Sequence, residues 1–531
     1  MAGRPIGWIC ILLPLCAVRG ETEGQACAAC HREIYDSYQA TGMARSSGRV
    51  ASIDAEGSFE HKASEVKYRV FGRDGAVWFG FTSAGFQGRR RLEYFVGSGS
   101  IGRSYLFSWD GFLYQAPVSW YTAPGRWDLS PGYEESGEGF NRPIYENCIV
   151  CHSGRPKAVP WRDGLFEDPP FAELAIGCEN CHGPGALHVG ERSRGAAVTM
   201  PDPSIVNPHR LQARLAEDIC MQCHQGGDAR VLLPGREYSD FRPGSRLIET
   251  VAIFTLPAAD KNADLLEHHS SMQLSRCFRE SNGALGCVTC HDPHQEPADP
   301  PAYFRSKCMT CHIRQGCKLN LAARRATKPP DDCIACHMPK RTVARISHSA
   351  LTNHRIPSRP GEALPLPLSR LTVVNGREAE LPLATRLAAY GELAGKAPEM
   401  QSKYDELLDE AARVSSQDPT VLIALGHKTL ASSPASAAAL LAKAEEKGAT
   451  GPLFFLDLGE ALSLAGKGED SVAALERGES LFPWSPALRK RLVLGYIRVK
   501  AYAKARSAME RYVADFPEDP LMRRLLKEAP Q

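Results

Sequence analysis

Seven Cys-x-x-Cys-His motifs lie in the first two thirds of the 531-residue chain, and we number them 1 to 7 in chain order. Two thiols at this spacing can form thioethers with the vinyl groups of one porphyrin, and the adjacent imidazole can then ligate its iron. The pattern predicts seven covalent haems c. The predicted tethers are Cys27, Cys30, Cys148, Cys151, Cys178, Cys181, Cys220, Cys223, Cys287, Cys290, Cys308, Cys311, Cys333 and Cys336. The predicted proximal ligands are His31, His152, His182, His224, His291, His312 and His337.

Zinc binding and thiol redox chemistry also use Cys-x-x-Cys pairs. The pairs of motifs 5 and 6, within Cys287–Cys311, have the spacing of a zinc ribbon. Neither chemistry requires a histidine after the second cysteine, and every Cys-x-x-Cys of this chain has one. The sequence therefore favours haem.

The second axial ligand of each iron decides between an electron carrier and a catalyst, because an open face can bind a small molecule. The predicted distal ligands are His188, one of His268 and His269 (with His268 the choice), His294, His348, His354 and Met43. His61 and His209 are weaker candidates. His188 follows motif 3 too closely to cap the haem of that motif and is expected to serve a neighbour. These nine candidates are enough to give each of the seven irons a second axial ligand.

The stretch between motifs 1 and 2 contains no cysteine and predicts a β-rich insertion over about residues 57–125. Val66–Val70 and Val77–Phe81 flank Arg73-Asp74-Gly75, which indicates a hairpin. Gly97–Gly102 matches G-x-G-x-x-G, but aromatic, strand-like sequence follows where a dinucleotide site needs a helix. We therefore expect no nicotinamide or flavin site.

Motifs 2 to 7 follow one another closely, so we expect the haems to form the core of a domain of short helices and loops. This seven-haem cytochrome c domain is predicted over residues 21–354, with a proline-rich linker at 355–375. In the remainder, 376–531, Pro419, Pro452, Pro486 and Pro520 recur at intervals of 33, 34 and 34 residues. That period predicts an all-α solenoid of tetratricopeptide (TPR) type that docks proteins, with a plain helical bundle as the alternative.

The composition, 43% apolar and 23% charged, is that of a soluble globular protein. Residues 1–20 predict a cleavable signal peptide whose apolar run is too short to span a bilayer, so we expect a periplasmic or otherwise extracytoplasmic protein. The bulky Leu15 before Cys16 argues against a lipoprotein anchor. The formal charge of +2 omits the haem propionates, which the arginines are expected to meet, and we expect no nucleic-acid binding. Cys277 and Cys317 remain, and a disulfide between them is the favoured use.

Motif 1 with Tyr35, Tyr38, Thr41 and Met43-Ala44 resembles the opening of multihaem cytochromes c related to the tetrahaem electron carrier of ammonia oxidation. The segments 178–188, 287–294 and 333–339 are also similar to that family, including its members fused to TPRs. In the family pattern, the position of Met43 is commonly a distal histidine. The resemblance implies a multihaem cytochrome fold and no particular substrate.

Taken together, these patterns predict an exported seven-haem c-type cytochrome that relays electrons between redox partner proteins and docks through its repeats. An electron-transfer protein is favoured over an enzyme. The alternative is a multihaem oxidoreductase that reduces or oxidises a small nitrogen or sulfur compound at one five-coordinate haem. A scaffold that uses haem only for folding accounts poorly for seven redox cofactors.

Overall fold

The computed structural model describes residues 23–133, 142–197, 199–256, 268–313, 317–341, 351–358, 362, 371–395 and 397–529. The predicted signal peptide, His348 and most of the predicted linker lie outside these ranges. Within them, no helix is long and apolar enough to cross a membrane.

Most of the strands lie in the first third of the described chain. They are β1 Ser47–Arg49, β2 Gly57–His61, β3 Val66–Arg73, β4 Ala76–Ser83, β5 Phe86–Leu92, β6 Tyr94–Val96, β7 Gly102–Trp109, β8 Phe112–Tyr121, β9 Arg126–Leu129, β10 Arg142–Pro143, β11 Arg155–Ala158, β12 Phe166–Glu173, β13 Ala229–Leu232, β14 Val251–Thr255, β15 Lys340–Arg341, β16 Leu351–Thr352 and β17 Thr372–Val373.

Two antiparallel sheets form a sandwich after motif 1. One has the order β2-β3-β4-β5, and the other has the order β1-β6-β7-β8-β10 with β9 also paired to β8. Burial alternates along β3 and β4, so every second side chain faces the other sheet. Phe79 of the first sheet meets Phe107 of the second with ring centroids 5.7 Å apart. Gly102 begins a strand, so the helix that a dinucleotide site needs is not there.

Short helices carry the motifs. They are α1 Glu23–Ala28, α2 Arg32–Gln39, α3 Glu146–Ile149, α4 Glu179–His182, α5 Ala186–Ser193, α6 Ala213–His224, α7 His268–Gln273, α8 Arg276–Glu280, α9 Cys287–Cys290, α10 Pro300–Cys311, α11 Leu321–Arg325 and α12 Cys333–His337. Four 3₁₀ turns add Pro208–Arg210, Tyr238–Asp240, Leu247–Glu249 and Glu378–Glu380.

The C-terminal region is a TPR-like solenoid of helix pairs, which confirms that part of the sequence prediction. Its helices are α13 Leu383–Ala394, α14 Pro398–Val414, α15 Pro419–Thr429, α16 Pro434–Glu446, α17 Pro452–Leu464, α18 Gly468–Leu481, α19 Pro486–Arg498, α20 Tyr502–Asp515 and α21 Pro520–Glu528. The recurring prolines each begin a helix, where their fixed φ is favourable and no amide donor is needed.

The glycines that follow those prolines bring paired helices close together. A Cβ added at Gly426 would lie 2.6 Å from Cγ of Leu441, and one at Gly459 would lie 2.7 Å from Cγ of Leu475. Leu441 and Leu475 are fully buried. In both pairs, the glycine on the first helix therefore leaves room for the leucine on the second, and the two helices pack closely.

The solenoid packs on the rest of the chain at both ends. Its first helices share a buried core with β13 and β14, and β17, inside the predicted linker, pairs with β14. Its last helices share one continuous core with the sandwich. There the Trp484 indole N–H donates to the carbonyl of Asp163 at 2.9 Å, and its ring meets Tyr145 edge-on.

Candidate functional site

One helical turn arranges the predicted attachment sites of motifs 1 and 3 to 7, whereas in motif 2 the amide of His152 donates to the Ile149 carbonyl. The amide of His31 donates to the Cys27 carbonyl at 2.9 Å, and His182, His291 and His312 make the same bond within their motifs at 3.0, 3.0 and 3.1 Å. Side chains three and four positions apart share one face of such a turn. Both thiols and the imidazole of a motif are therefore presented toward one side.

Three motif imidazoles each face a second imidazole, with ring planes 19° and 21° apart in two pairs and 34° apart in the His291–His354 pair. The ring centroids are 6.5 Å apart for His31 and His188, 6.0 Å for His182 and His294, and 6.2 Å for His291 and His354. The second member of each pair is a predicted distal ligand. With metal–nitrogen bonds of about 2 Å, two imidazoles on opposite faces of one metal have centroids about 6 Å apart. The spacing of these pairs fits axial ligation of one iron.

The histidines around motif 4 are less regularly arranged than these three pairs. His224 lies 5.6 Å from His268, centroid to centroid, and His268 lies 4.6 Å from His354, in both cases edge-to-face. His269, the other member of the predicted either-or pair, uses its Nε2 to bond Glu217 at 2.8 Å. His268 remains the candidate of the two, because its ring contacts those of His224 and His354.

Hydrogen bonds at Nδ1 orient several of these rings. Nδ1–H of His182 donates to the Val206 carbonyl, that of His337 to the Pro357 carbonyl, and that of His354 to the Thr352 carbonyl, at 2.8, 2.8 and 2.9 Å. A carbonyl oxygen can only accept, so Nδ1 carries the proton and Nε2 is left with a lone pair. Metal-ligating histidines commonly donate their other ring N–H to a carbonyl in this way, which fixes the orientation of the ring.

Burial keeps the clustered imidazoles neutral. It lowers the pKa of His268 to about 3 and that of His291 to about 4, and the nearby His354 adds to both effects. Burial also lowers the pKa values of His182, His224 and His354. Neutral imidazole is the form that ligates metals.

Other candidate ligands lie apart from these groups. His61 lies at the end of β2, where its Nδ1 bonds the Ser64 hydroxyl, and His209 is exposed. The Met43 carbonyl accepts the amide of Ile176, which brings the Met43 backbone next to motif 3. His348 is outside the described residues.

The structure brings the motifs into contact in an order that differs from their order in the chain. Thiols of Cys27 and Cys178 hydrogen-bond each other, which joins motifs 1 and 3. The Gln222 side chain of motif 4 donates to the Asn180 carbonyl of motif 3 at 3.0 Å. A hydrogen bond between the thiols of Cys220 and Cys287 links motifs 4 and 5.

Motifs 6 and 7 continue this series, and motif 2 lies to one side of it. Helix α10, which carries motif 6, contacts α9 of motif 5 and α12 of motif 7. Cys151 of motif 2 donates to the Gln222 carbonyl of motif 4, with sulfur and oxygen 3.7 Å apart. The contacts form a row 1-3-4-5-6-7, with motif 2 attached at motif 4.

The motif 5 to 7 segment has little side-chain core. Among the described residues between Met272 and Leu371, no apolar side chain is buried, and Ile313 and Val288 are 75% and 51% exposed. So little burial does not offset the entropy of ordering a chain. Covalently held porphyrins would supply the apolar surface that these helices lack, so the segment fits the cofactor that its motifs predict.

The expected disulfide between Cys277 and Cys317 is wrong, because both residues are free and exposed. Cys277 instead lies near the cysteines of motifs 5 and 6. In the described ranges, no three His, Cys, Asp or Glu side chains are gathered as a metal site, and this includes the zinc-ribbon cysteines of those two motifs.

Motif 2 has a distinctive polar environment. Burial raises the pKa of Glu146, two residues before Cys148, to about 7, and Glu237 and Asp240 contribute to the shift. Arg230 lies near both Cys151 and Tyr238, with its guanidinium over the Tyr238 ring. Nothing local in the sequence marks Glu146 or Arg230, because their partners come from separate segments.

A groove along the solenoid is the other candidate site. It has a volume of about 460 Å³ and is lined by residues of α15, α17 and α19 that include His427, Asp457, Glu460 and Arg491. His427 bonds Asp457 at 2.8 Å, and Arg491 pairs with Glu460. The groove therefore combines two charged or polar pairs with an apolar lining of Leu430, Ala431, Leu456 and Ala487.

No family model and no curated protein sequence matches this chain. Among solved structures, it is similar to the APC/C hetero-tetramer Cut9–Hcn1, with 20% identity, 28% of this chain and 33% of that chain covered, and a TM-score of 0.23. YrrB, a TPR protein with an unusual peptide-binding site, has 16% identity, coverage of 25% and 67%, and a TM-score of 0.22. A thermophilic TPR protein of Thermus thermophilus has 16% identity, coverage of 28% and 90%, and a TM-score of 0.22. The chain spans about a third of the length of the first. Likeness at such TM-scores carries no argument, and the TPR-like assignment comes from the chain's own helix pairs.

Proposed function

We propose that this chain is an exported seven-haem cytochrome c that relays electrons between redox proteins. The contact row of the seven motifs is the observation that carries the proposal. Porphyrins tethered at neighbouring motifs would lie close together, and electron hopping between close haems is fast without any further machinery. Export is part of the proposal, because covalent haem attachment is normally carried out outside the cytoplasmic membrane.

The axial ligands follow from the imidazole pairs. Bound haem would be tethered by each motif's cysteines and held by His31 with His188, His182 with His294, His291 with His354, and His224 with His268. In each pair the chain contributes two imidazoles, which favours a six-coordinate, low-spin iron suited to electron transfer. The bound haem would supply the one-electron chemistry, and the residues would tether and orient it.

The solenoid is proposed as the docking surface for a protein partner. Stacked helix pairs present a long groove, and binding proteins is the general use of such grooves. The solenoid meets the haem region at Trp484 and Tyr145, and the Tyr145 carbonyl accepts the amide of Cys148 at 3.1 Å. A docked partner would therefore be connected most directly to motif 2.

A second candidate function is reduction or oxidation of a small nitrogen or sulfur compound at one open haem. The pKa of Glu146, about 7, favours motif 2 as that place, because a carboxyl group that holds its proton near neutral pH can exchange protons with a substrate.

The first test is electron paramagnetic resonance of the oxidised holoprotein, after haem and iron have been counted. The relay predicts seven haems whose low-spin signals do not change with nitrite, hydroxylamine or sulfite. A high-spin signal that moves with these ligands would support the second candidate function and count against the relay. A protein exported normally but without covalent haem would overturn both.

Single substitutions test the ligand pairs. His268→Ala should convert one haem from low-spin to high-spin, because it removes one axial imidazole. His209→Ala is the matched control, since that ring is exposed and is expected to leave every haem low-spin. Unchanged spectra for both variants would remove His268 from the ligand set.

A further inference from the structure

One loop holds two of the proposed ligands in chemically different ways. Val206 accepts Nδ1–H of His182 through its backbone carbonyl at 2.8 Å. Nδ1 of His188 hydrogen-bonds the Ser204 hydroxyl oxygen at 3.2 Å, and the carboxylate Oδ2 of Asp202 lies 3.2 Å from the same nitrogen. The neighbouring motifs 3 and 1 therefore receive a neutral carbonyl and a hydroxyl backed by a carboxylate from the same loop.

The carboxylate of Asp202 is itself held firmly. Its Oδ1 accepts the Ser204 hydroxyl at 2.5 Å and the Ser204 amide at 2.9 Å. Since that hydroxyl donates to Asp202, its oxygen is left to accept Nδ1–H of His188. The Arg192 guanidinium lies 3.5 Å from Oδ2 of Asp202. The side chains of Asp202 and Arg192 are 12% and 18% exposed, so water screens this charge pair only partly.

A second histidine–carboxylate pair offers a natural comparison. Nδ1 of His294 lies 3.6 Å from Asp292, beyond hydrogen-bond range, and both side chains are more exposed than those of the first pair. The two pairs have the same residue types and different coupling. The sequence alone does not distinguish them.

A carboxylate beside Nδ1–H, directly or through a hydroxyl that accepts this proton, makes an imidazole a stronger electron donor, and a fixed negative charge favours the more positive oxidation state of a nearby metal. We propose that Asp202 sets the reduction potential of the motif 1 haem by acting on Nδ1 of its distal ligand, His188, through its charge and through the Ser204 hydroxyl. Asp202 is a positioning residue that lowers this potential relative to a neutral acceptor. The inference rests on the proposed function, since it requires haem at motif 1.

The test compares three variants of the full holoprotein by potentiometric titration and electron paramagnetic resonance. Asp202→Asn should shift one of the seven midpoint potentials upward and change one low-spin signal, because the anion is lost. Arg192→Gln should shift the same midpoint downward, because the carboxylate then acts on the imidazole without an opposing cation. Asp292→Asn, the matched control, should give a much smaller shift at a different haem.

The signs of the shifts separate electrostatic tuning from simple support of the ring. Shifts of the same sign in Asp202→Asn and Arg192→Gln, or loss of a low-spin signal in Asp202→Asn, would overturn the inference, because both outcomes mean that the loop only holds the histidine in place. Seven haems with unchanged potentials in Asp202→Asn would overturn it and leave the relay intact. A wild-type protein without covalent haem would instead overturn the proposed function.

Discussion

The solenoid and the motif 5 to 7 segment are both helical, but their helices pack against different things. In the solenoid, helix pairs close on fully buried leucines such as Leu441 and Leu475. In the motif segment, the 12-residue helix α10 has no buried residue. Helix content by itself therefore says little about what stabilises a region. Substitutions and haem removal can distinguish a region stabilised by a side-chain core from one stabilised by bound haem.

The largest expected effect is on the full chain made without haem attachment. We expect α8 to α12 to be unfolded there, because they bury too little apolar surface, while α15 to α21 remain helical. Limited proteolysis with mass spectrometry would measure this against the holoprotein. Equal protection of α8 to α12 with and without haem would refute the haem core.

Leu475→Ala should destabilise the solenoid by about 2–5 kcal/mol, because it opens a cavity at the Gly459 contact. The haem absorption bands should remain, since this core contains no motif. Thermal unfolding followed by circular dichroism and by haem absorbance would separate the two regions. Leu453→Ala, at a side chain that is 76% exposed, is the control and should change little.

Trp484→Phe should lower the free energy of unfolding by about 1–3 kcal/mol, because the Asp163 carbonyl loses its donor where the solenoid meets the loop between β11 and β12. Chemical denaturation would measure the loss. Trp161→Phe, at a ring that is 68% exposed, should have almost no effect. Equal effects of the two substitutions would mean that the Trp484 contact contributes nothing to stability.

The smallest expected effect concerns one haem only. Met43→His should lower the potential of one haem, because imidazole stabilises ferric iron better than a thioether does. A redox titration of the holoprotein measures it, with His61→Ala as a control at a position on the sandwich. An unchanged titration would remove Met43 from the ligand set.

Much of the fold could be predicted because its signals are local. The turn at Arg73-Asp74-Gly75 joins β3 and β4, and the recurring prolines begin the helices of the solenoid. These features depend on the φ preferences of a few adjacent residues. The prediction of a Cys277–Cys317 disulfide was wrong for the opposite reason, because it required two distant segments to meet.

The sequence by itself determined the positions of the seven Cys-x-x-Cys-His motifs and the period of the helical repeat. Both are local properties, because they depend on spacing within one helical turn or one helix pair. Tertiary structure alone decided that motif 3 lies between motifs 1 and 4, that His188 faces His31, and that Ser204 and Asp202 rather than a carbonyl lie at its Nδ1. It also decided that the sandwich and the solenoid share one core. These are contacts between residues far apart in the chain, and they depend on how whole elements pack rather than on any short pattern.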